Sequence, residues 1–272
     1  WMLANANEDR VVLSLTTDDV QQSSNDVTMK KGYEVIASYS WKQTDLPTIY
    51  VPGTPSAFNG QDVAAFEGIQ LDPDNGQYWL DQHAERVPAH QFEPMFQALS
   101  LLNPDMRFDD IDVVVNRSTL QQLLKVLNNK SSQNFHLDLN MVGTTLFLGR
   151  KVLRARVGSP EGSYGHSFER HFTSEDPELE DAEGHHRMLR YDFGGLDMVV
   201  RIEADARVPN TTYDIDAPFV PHPLYAAEDG PVEGIAHSGP QRTSIISQGI
   251  LTPHFLTIEL KSNDKAKPME QM

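Results

Sequence analysis

Four charged side chains that follow two apolar segments have the types and spacing of a metal-dependent phosphodiester-cleaving site. Glu203 and Asp205 form a Glu-x-Asp pair, and Glu259 and Lys261 form a Glu-x-Lys pair further along the chain. Hard divalent cations such as Mg²⁺ and Mn²⁺ prefer oxygen ligands, and a nearby lysine can orient water and offset phosphate charge. The two pairs therefore predict a site for a divalent metal.

The segments that precede these pairs are expected to form strands, and a further carboxylate is expected on a helix. Residues 198–202 and 255–258 are short apolar runs of the kind found in buried strands. Glu169 lies in a stretch near residues 164–172 that we predict to be helical. Taken alone, each of these charged residues is more typical of a solvated surface, because Glu and Lys are common on exposed strands.

The remaining elements alternate between the two kinds of secondary structure, and we predict a mixed α/β fold with a central mixed β-sheet flanked by helices. Strands are predicted at 33–39, 48–51, 111–115, 135–139, 145–148, 188–191 and 198–205, and helices at 93–102, 119–127 and 164–172. Ser118 is a candidate cap for the helix at 119–127, because its hydroxyl can accept a hydrogen bond from a free backbone amide.

The domain organisation is predicted from composition along the chain. Residues 1–31 mix polar and acidic residues and predict a flexible N-terminal arm, and residues 32–272 are predicted to form a single domain. Six prolines between residues 209 and 240 predict an insertion or binding loop at about 207–250.

Charge and composition exclude several kinds of protein. The chain has no cysteine, so thiolate nucleophiles and cysteine-bound metals are excluded. No apolar run is long enough to span a bilayer, and the N-terminus has no basic segment followed by an apolar stretch. We therefore expect an intracellular protein, nuclear or cytoplasmic, without a membrane partner. The net charge of −17, from 22 basic and 39 acidic residues, disfavours binding to polyanions.

Four segments occur in the order that is typical of the decapping exoribonuclease family, the DXO-like proteins. They are the strand and arginine at 111–117, the Gly-His-Ser-Phe-Glu at 165–169, the strand pair that ends in the Glu-Ala-Asp at 203–205, and the Glu-Leu-Lys at 259–261. The last three resemble the family motifs Gly-Φ-x-Φ-Glu, Glu-Φ-Asp and Glu-Φ-Lys, where Φ is an apolar residue. The resemblance covers roughly residues 108–261 and implies a PD-(D/E)xK nuclease-like core.

The resemblance also implies roles for individual residues. The carboxylates that would bind one or two Mg²⁺ or Mn²⁺ ions are Glu169, Glu203, Asp205 and Glu259. Lys261 would orient the attacking water, Arg117 would hold a phosphate, and Gln271 would stand for a substrate-binding glutamine on the next helix. The family acts on RNA 5′ ends by decapping, by pyrophosphohydrolase activity and, in some members, by 5′-3′ exoribonuclease activity. A divalent-metal-dependent hydrolase acting on RNA 5′ ends is therefore expected.

Two other functions stay open. A small nucleotide fits the net charge better than long RNA does, because Lys and Arg contacts to phosphate supply most of the affinity for RNA. The alternative to an enzyme is a catalytically silent nuclease-fold scaffold in a fungal complex. Such a scaffold would bind a protein partner through its acidic surface or through the Pro-rich insertion.

The chain is also similar to uncharacterised fungal proteins, some of which are labelled as geranylgeranyl pyrophosphate synthases. Prenyl synthases hold Mg²⁺-pyrophosphate with paired Asp-Asp-x-x-Asp motifs on helices. Residues 109–112 lead into a predicted strand and have a different spacing, so the label is not supported.

Two further segments are assigned ordinary roles. His185 and His186, next to an acidic segment, are not expected to bind a metal together, because neighbouring side chains point in different directions. The acidic segment at 174–183 is predicted to be a solvated loop.

Overall fold

The computed structural model describes residues 14, 16–20, 32–60, 69–130, 135–152, 154–179, 181–209 and 243–262. Its strands are β1 (Tyr33–Lys42), β2 (Thr48–Gly53), β3 (Ala57–Phe58), β4 (Gln77–Trp79), β5 (Val113–Asn116), β6 (His136–Val142), β7 (Thr145–Lys151), β8 (Arg156–Gly158), β9 (Thr173–Ser174), β10 (Ala182–Phe193), β11 (Leu196–Ala204), β12 (Ala206–Arg207), β13 (Ser244–Gly249) and β14 (Thr257–Ile258). Its α-helices are α1 (Gln82–Arg86), α2 (Glu93–Leu102), α3 (Arg117–Leu127) and α4 (Gly165–Phe172), and short 3-10 helices occur at Thr17–Asp19, Pro177–Leu179 and His254–Leu256. Gln271, most of the predicted N-terminal arm and residues 210–242 of the predicted insertion lie outside the described residues.

These elements form a mixed α/β fold with a large mixed sheet flanked by helices, which confirms the predicted fold class. Contacts within the chain group it into two compact units. Unit 1 comprises Trp1–Ala37, Asp81–Ala155 and Arg187–Ile202, and unit 2 comprises Ser38–Leu80, Arg156–His186 and Glu203–Met272. The single domain over 32–272 stays a prediction. Among the described helices, none has the length and apolar character needed to cross a membrane.

In unit 1, strands β11, β5, β7 and β6 are neighbours in that order. Strands β11 and β5 pair in parallel, with Met198 opposite Val113 and Val200 opposite Val115. Strand β7 is parallel to β5 and antiparallel to β6. These valine and methionine side chains form a buried cluster against which Leu120 of α3 packs. The β-branched run of β5 thus forms a fully buried strand, as a continuous apolar run predicts.

Helix α3 begins earlier than predicted. Its N-cap is Asn116, which has an extended backbone with φ −88° and ψ 144°, and Arg117 is the first helical residue. The predicted cap at Ser118 is therefore wrong, because β5 leads into the helix without an intervening linker. The predicted helices at 93–102 and 164–172 are confirmed as α2 and α4.

In unit 2, strands β13, β2 and β1 are neighbours in that order. Strand β13 runs parallel to β2, from Ser244 opposite Thr48 to Gly249 opposite Gly53. A Cβ atom on Gly249 would lie 2.5 Å from the carbonyl carbon of Gly53, and the φ of Gly249 is 107°, so this close approach requires glycine. The predicted insertion at 207–250 therefore ends in a strand of the sheet.

Lys42, Tyr50 and Asp181 form a hydrogen-bonded group at the end of β1 in unit 2. Lys42 Nζ donates to Tyr50 Oη at 2.5 Å and to the Asp181 carboxylate, and Tyr50 Oη donates to Asp181 Oδ1 at 2.6 Å. The hydrogen bond from Lys42, followed by that from Tyr50, lowers the pKa of Asp181, and the same contact raises the pKa of Lys42. The group therefore stays an ion pair at neutral pH.

A second sheet in unit 2 has the strand order β14, β12, β3, β9. The predicted buried strand at 255–258 is wrong in its first half, because Phe255 and Leu256 lie in a 3-10 helix and Phe255 is 67% exposed. Pro253 caps this helix, and only the two residues after it pair as β14. Strands β4 and β8 form a separate antiparallel pair, also in unit 2.

The structure locates the two neighbouring histidines and corrects one prediction about the acidic region. His185 and His186 lie in strand β10 and are both buried, and the Nδ1 of His185 is 3.0 Å from the Oγ of Ser40. The segment at 174–183 is only partly a solvated loop, because Leu179 sits in a 3-10 helix with its side chain buried. The burial of Leu179 thus keeps this part of the acidic segment from being fully solvated.

Candidate functional site

The pairing of β12 with β14 brings two of the predicted carboxylates together. The strands are antiparallel, with Ala206 opposite Ile258. This register places Asp205 opposite Glu259, one residue beyond the paired strands. Asp205 Oδ2 also accepts a hydrogen bond from the backbone amide of Leu260 at 2.7 Å. The Glu-x-Asp and Glu-x-Lys segments are therefore neighbours in unit 2, although more than fifty residues separate them in sequence.

Lys261 lies beside the same carboxylates. Its Nζ is 2.7 Å from Glu259 Oε1, and both side chains are partly exposed. An ion pair with this exposure contributes little to stability, since water screens it. The ion pair therefore sets the ammonium group beside the acidic cluster and adds little to the stability of the fold.

Helix α4 carries Glu169 toward this group through the small second sheet. Strand β9 follows α4 directly and pairs with β3, with Phe58 opposite Thr173. Strand β3 pairs in turn with β12, the neighbour of β14. At the end of the helix, the buried Phe172 packs its ring against Phe58, with 6.5 Å between ring centroids. The helix is thus held by apolar packing at its C-terminal end and by the sheet.

Burial and the neighbouring charges strongly raise the pKa of Glu169. Partial burial, followed by the negative charge of Asp205, raises the pKa of Glu169 from 4.5 to about 7. Asp74 and Glu259 repel its charge further, and Lys261 opposes the increase. The side chain itself is 38% exposed. These carboxylates are therefore close enough to repel one another, as in sites that bind a cation.

Asp74 is a residue of this region that the sequence did not reveal. Its carboxylate is buried and accepts hydrogen bonds from the Ser167 amide at 2.7 Å, the His166 amide at 3.3 Å and the Ser163 hydroxyl at 2.8 Å. Burial acts to raise the pKa of Asp74, but the three hydrogen bonds outweigh burial and lower it. An ionised Asp74 therefore caps the N-terminus of α4, where the helix dipole also favours negative charge. The sequence shows only an Asp-Pro-Asp-Asn-Gly turn here.

His166 occupies an apolar position of the predicted motif and is stacked on an aromatic ring. Its imidazole lies parallel to the ring of Tyr78, with 3.7 Å between centroids and 5° between planes. Its Nδ1 is 3.6 Å from Glu169 Oε2. Burial lowers the pKa of His166, and the negative charge of Asp74 partly offsets this. The stacking gives His166 an apolar contact at the position where the resemblance predicts an apolar side chain.

The remaining predicted residues are placed as follows. Glu203 is the penultimate residue of β11, belongs to unit 2 and is exposed. Arg117 is the first residue of α3, belongs to unit 1 and is half-buried. Gln271 lies outside the described residues. Unit 2 thus contains all five acidic and basic residues predicted for the metal site, and Arg117 belongs to the other unit.

The fit of a divalent metal to these residues is mixed. The side chains offer carboxylate oxygens, which suit Mg²⁺ and Mn²⁺, and their mutual repulsion is the kind that a cation relieves. Across the described part of the chain, however, no group of three or more His, Asp or Glu side chains already converges as a metal site. Metal binding here would require the side chains to change rotamers, which partly exposed carboxylates can do.

Comparisons with known proteins give one family and one set of solved structures. No curated protein matches the chain. The crystal structure of S. pombe Rai1 has 13% sequence identity and a TM-score of 0.39, covering 73% of this chain. S. pombe Rai1 in complex with 3′-FADP has 14% identity and a TM-score of 0.37, covering 72% of this chain. The chain spans 59% of the length of each of these structures. The family model that matches is described as a domain of unknown function, DUF8563; it covers residues 10–272, and the chain belongs to this family.

Proposed function

We propose that this protein is a divalent-metal-dependent hydrolase that acts on the 5′ end of RNA or on a nucleotide. The observation that supports this proposal is the antiparallel pairing of β12 and β14, which sets Asp205 opposite Glu259. Helix α4 adds Glu169, whose pKa responds to both of those carboxylates and to Lys261. Several carboxylates with one ammonium group suit the hydrolysis of a phosphate ester or anhydride.

In this proposal each side chain has a defined task. Glu169, Asp205 and Glu259 would hold Mg²⁺ or Mn²⁺, with Glu203 as a further ligand from the end of β11. A bound metal would supply charge neutralisation at the phosphate and a more acidic water. Lys261 would orient water or a phosphate oxygen, since its ammonium already lies 2.7 Å from Glu259. The site would lie within unit 2.

The substrate class follows from the charge of the chain. A net charge of −17 opposes contact with many phosphates, so a short 5′ end or a free nucleotide is favoured over long RNA. Arg117 belongs to unit 1, and its role in holding a phosphate stays a prediction from the resemblance, which its planar guanidinium would suit. An enzyme of this class would act in the nucleus or the cytoplasm.

The test is a panel of substrates with Mg²⁺ or Mn²⁺ present. Capped RNA, 5′-triphosphate RNA, DNA and free nucleotides are incubated with the wild-type protein and with Glu203→Ala and Glu259→Gln. We expect metal-dependent product release that falls at least about a hundredfold in each variant, because ligand loss removes transition-state stabilisation. Glu175→Gln serves as a matched control, because Glu175 is an exposed carboxylate of unit 2 outside the site.

Activity that is unchanged in both site variants, or that persists with a chelator, would contradict the assignment. Asp205→Asn is the gentler third variant, because the amide oxygen can still accept the Leu260 hydrogen bond. A loss of activity in Asp205→Asn with unaltered thermal unfolding would separate a role in the reaction from a role in folding.

A catalytically silent scaffold is the second candidate, and one observation favours it. The polar groups of the cluster already have partners within the chain, since Asp205 accepts from Leu260 and Lys261 pairs with Glu259. The hydrogen bond to Asp205 would suffice if these residues served only to join the end of β12 to the segment after β14. Calorimetric titration with Mn²⁺ distinguishes the two functions. A scaffold gives no binding heat in the wild-type protein and no activity on any substrate of the panel.

A further inference from the structure

Strand β6 has exposed apolar side chains. Leu139 and Met141 are 65% and 64% exposed. Strand β7 pairs with one edge of β6, and among the described residues no strand pairs with the other edge of β6. An open edge leaves backbone amide and carbonyl groups available for pairing, and an apolar edge of this kind is rarely left without a partner.

The exposed side chains lie on the face of the sheet that also carries α3. Leu139 is opposite Leu148 of β7, and Leu148 is opposite Val115 of β5. Residues that are directly opposite in a sheet point to the same face. Val115 belongs to the buried cluster that Leu120 of α3 covers, so Leu139 continues this face beyond the helix. Met141, two residues from Leu139, points the same way.

Helix α3 adds further apolar surface to this face. Leu124 and Leu127 follow Leu120 at helical spacing and therefore lie on the same side of α3. They are 59% and 53% exposed. Leu124, Leu127, Leu139 and Met141 form what we call the β6 surface, all of it within unit 1.

Strand β6 also lacks the features that usually keep an edge strand monomeric. It contains no proline and no lysine. Its acidic side chain, Asp138, is paired with Lys151 of β7 at 3.1 Å. The edge is therefore close to neutral in a protein whose net charge is −17.

We propose that the β6 surface is the contact between two copies of this chain, with β6 paired antiparallel to β6 of the second copy. Pairing about a two-fold axis at Leu139 sets Leu137 opposite Met141 and Asp138 opposite Asn140 of the second copy. No two like charges are opposed in this register, and every apolar residue on the α3 face meets another. The α3 leucines of both copies then flank the shared apolar row, and the contact is isologous, as two-fold symmetry requires.

The overall charge sets the salt dependence of this contact. Two copies of a chain with net charge −17 repel each other at long range, whereas the β6 surface itself is apolar. Raising the ionic strength screens the repulsion and leaves the apolar term intact. Dimerisation should therefore strengthen with salt. A partner bound through opposite charge would instead dissociate as the ionic strength is raised.

The test is sedimentation equilibrium of the full chain at two ionic strengths. We expect a dimer of twice the 30.5 kDa chain mass at micromolar concentration, with tighter association at the higher salt. Leu139→Lys should weaken dimerisation at least about tenfold, because it puts two like charges opposite each other on the axis. Leu46→Lys is the matched control, since Leu46 is 73% exposed in the turn between β1 and β2 of unit 2.

Hydrogen exchange of residues 136–142 provides the second measurement. Slower exchange of these amides in concentrated than in dilute protein would support pairing at β6. The proposal is overturned by a monomer at every concentration and salt, by an equal loss of association in Leu46→Lys, or by a dimer that Leu139→Lys leaves intact. It does not depend on the proposed function, since the dimer is measured without substrate or metal.

Discussion

Replacing Glu169 with glutamine should stabilise the protein at alkaline pH. Burial and the charges of Asp205, Asp74 and Glu259 raise the pKa of Glu169 from 4.5 to about 7 in the folded protein. The folded state therefore holds a proton on Glu169 more tightly than the unfolded state does. The contribution of Glu169 to stability is therefore fully present below about pH 4.5 and is lost as the pH rises through about 7. Glutamine cannot ionise and avoids this loss.

The size of the effect follows from the pKa and from the exposure of the side chain. An increase from 4.5 to about 7 corresponds at most to about 3.5 kcal/mol, at about 1.4 kcal/mol for each pKa unit. Because the side chain is 38% exposed, solvent screening reduces this value, and we expect about 1–2 kcal/mol. At pH 8 Glu169→Gln should exceed the wild-type protein by this amount in free energy of unfolding. Near pH 4 the difference should vanish.

Urea unfolding followed by circular dichroism at several pH values between 4 and 8 measures this difference. The urea dependence of the free energy should stay the same in the two proteins, so that the midpoints can be compared directly. Glu175→Gln, which removes an exposed carboxylate in the same unit, controls for the change in net charge. A stability difference that does not change with pH, or a variant that is less stable at pH 8, would refute the reasoning about the site.

Two further substitutions test contacts within unit 2. Asp74→Ala should lower the free energy of unfolding by about 2–3 kcal/mol at pH 7, because α4 loses its capping hydrogen bonds, and urea unfolding measures the loss. Since the pKa of Asp74 lies below its ordinary value, this contribution should begin to decrease near pH 4 and fall further as the pH drops through the lowered pKa. Equal stability of the two proteins at pH 7 would contradict the capping role. Lys42→Met should lower the free energy of unfolding by about 1 kcal/mol, measured by thermal unfolding, since Asp181 and Tyr50 lose a charged partner that is only partly exposed. A variant as stable as the wild-type protein would show that water replaces the ammonium group.

The long elements follow from the sequence, and the short ones do not. Helix α2 has helical apolar spacing over ten residues and strand β11 has an apolar run within nine, so their positions are predicted well. Strands β3, β9, β12 and β14 each have two residues, which is too short to show any periodicity. These strands nevertheless form the sheet that sets Asp205 opposite Glu259. Tertiary contacts alone define that part of the fold.

The candidate site is predictable in its composition and only partly in its arrangement. Motif order identifies Glu169, Asp205, Glu259 and Lys261, and the structure gathers all four in unit 2. Asp74 carries no such signal, since its partners Ser163 and Ser167 are about ninety residues away in sequence. A turn-forming sequence indicates the local backbone and says nothing about which helix the side chain will cap.

The cap at Asp74 ties the assembly of the site to the order in which the chain folds. Helix α4 has eight residues, too few to be stable as an isolated helix in water. Its N-terminus gains its carboxylate only after a loop of about ninety residues has closed, which is an entropically slow step. A fragment that starts after β4 would retain every carboxylate of the motifs and still lack the group that fixes the helix carrying Glu169. Deletions at the N-terminal side should therefore impair refolding of this region even though they remove none of the predicted metal ligands.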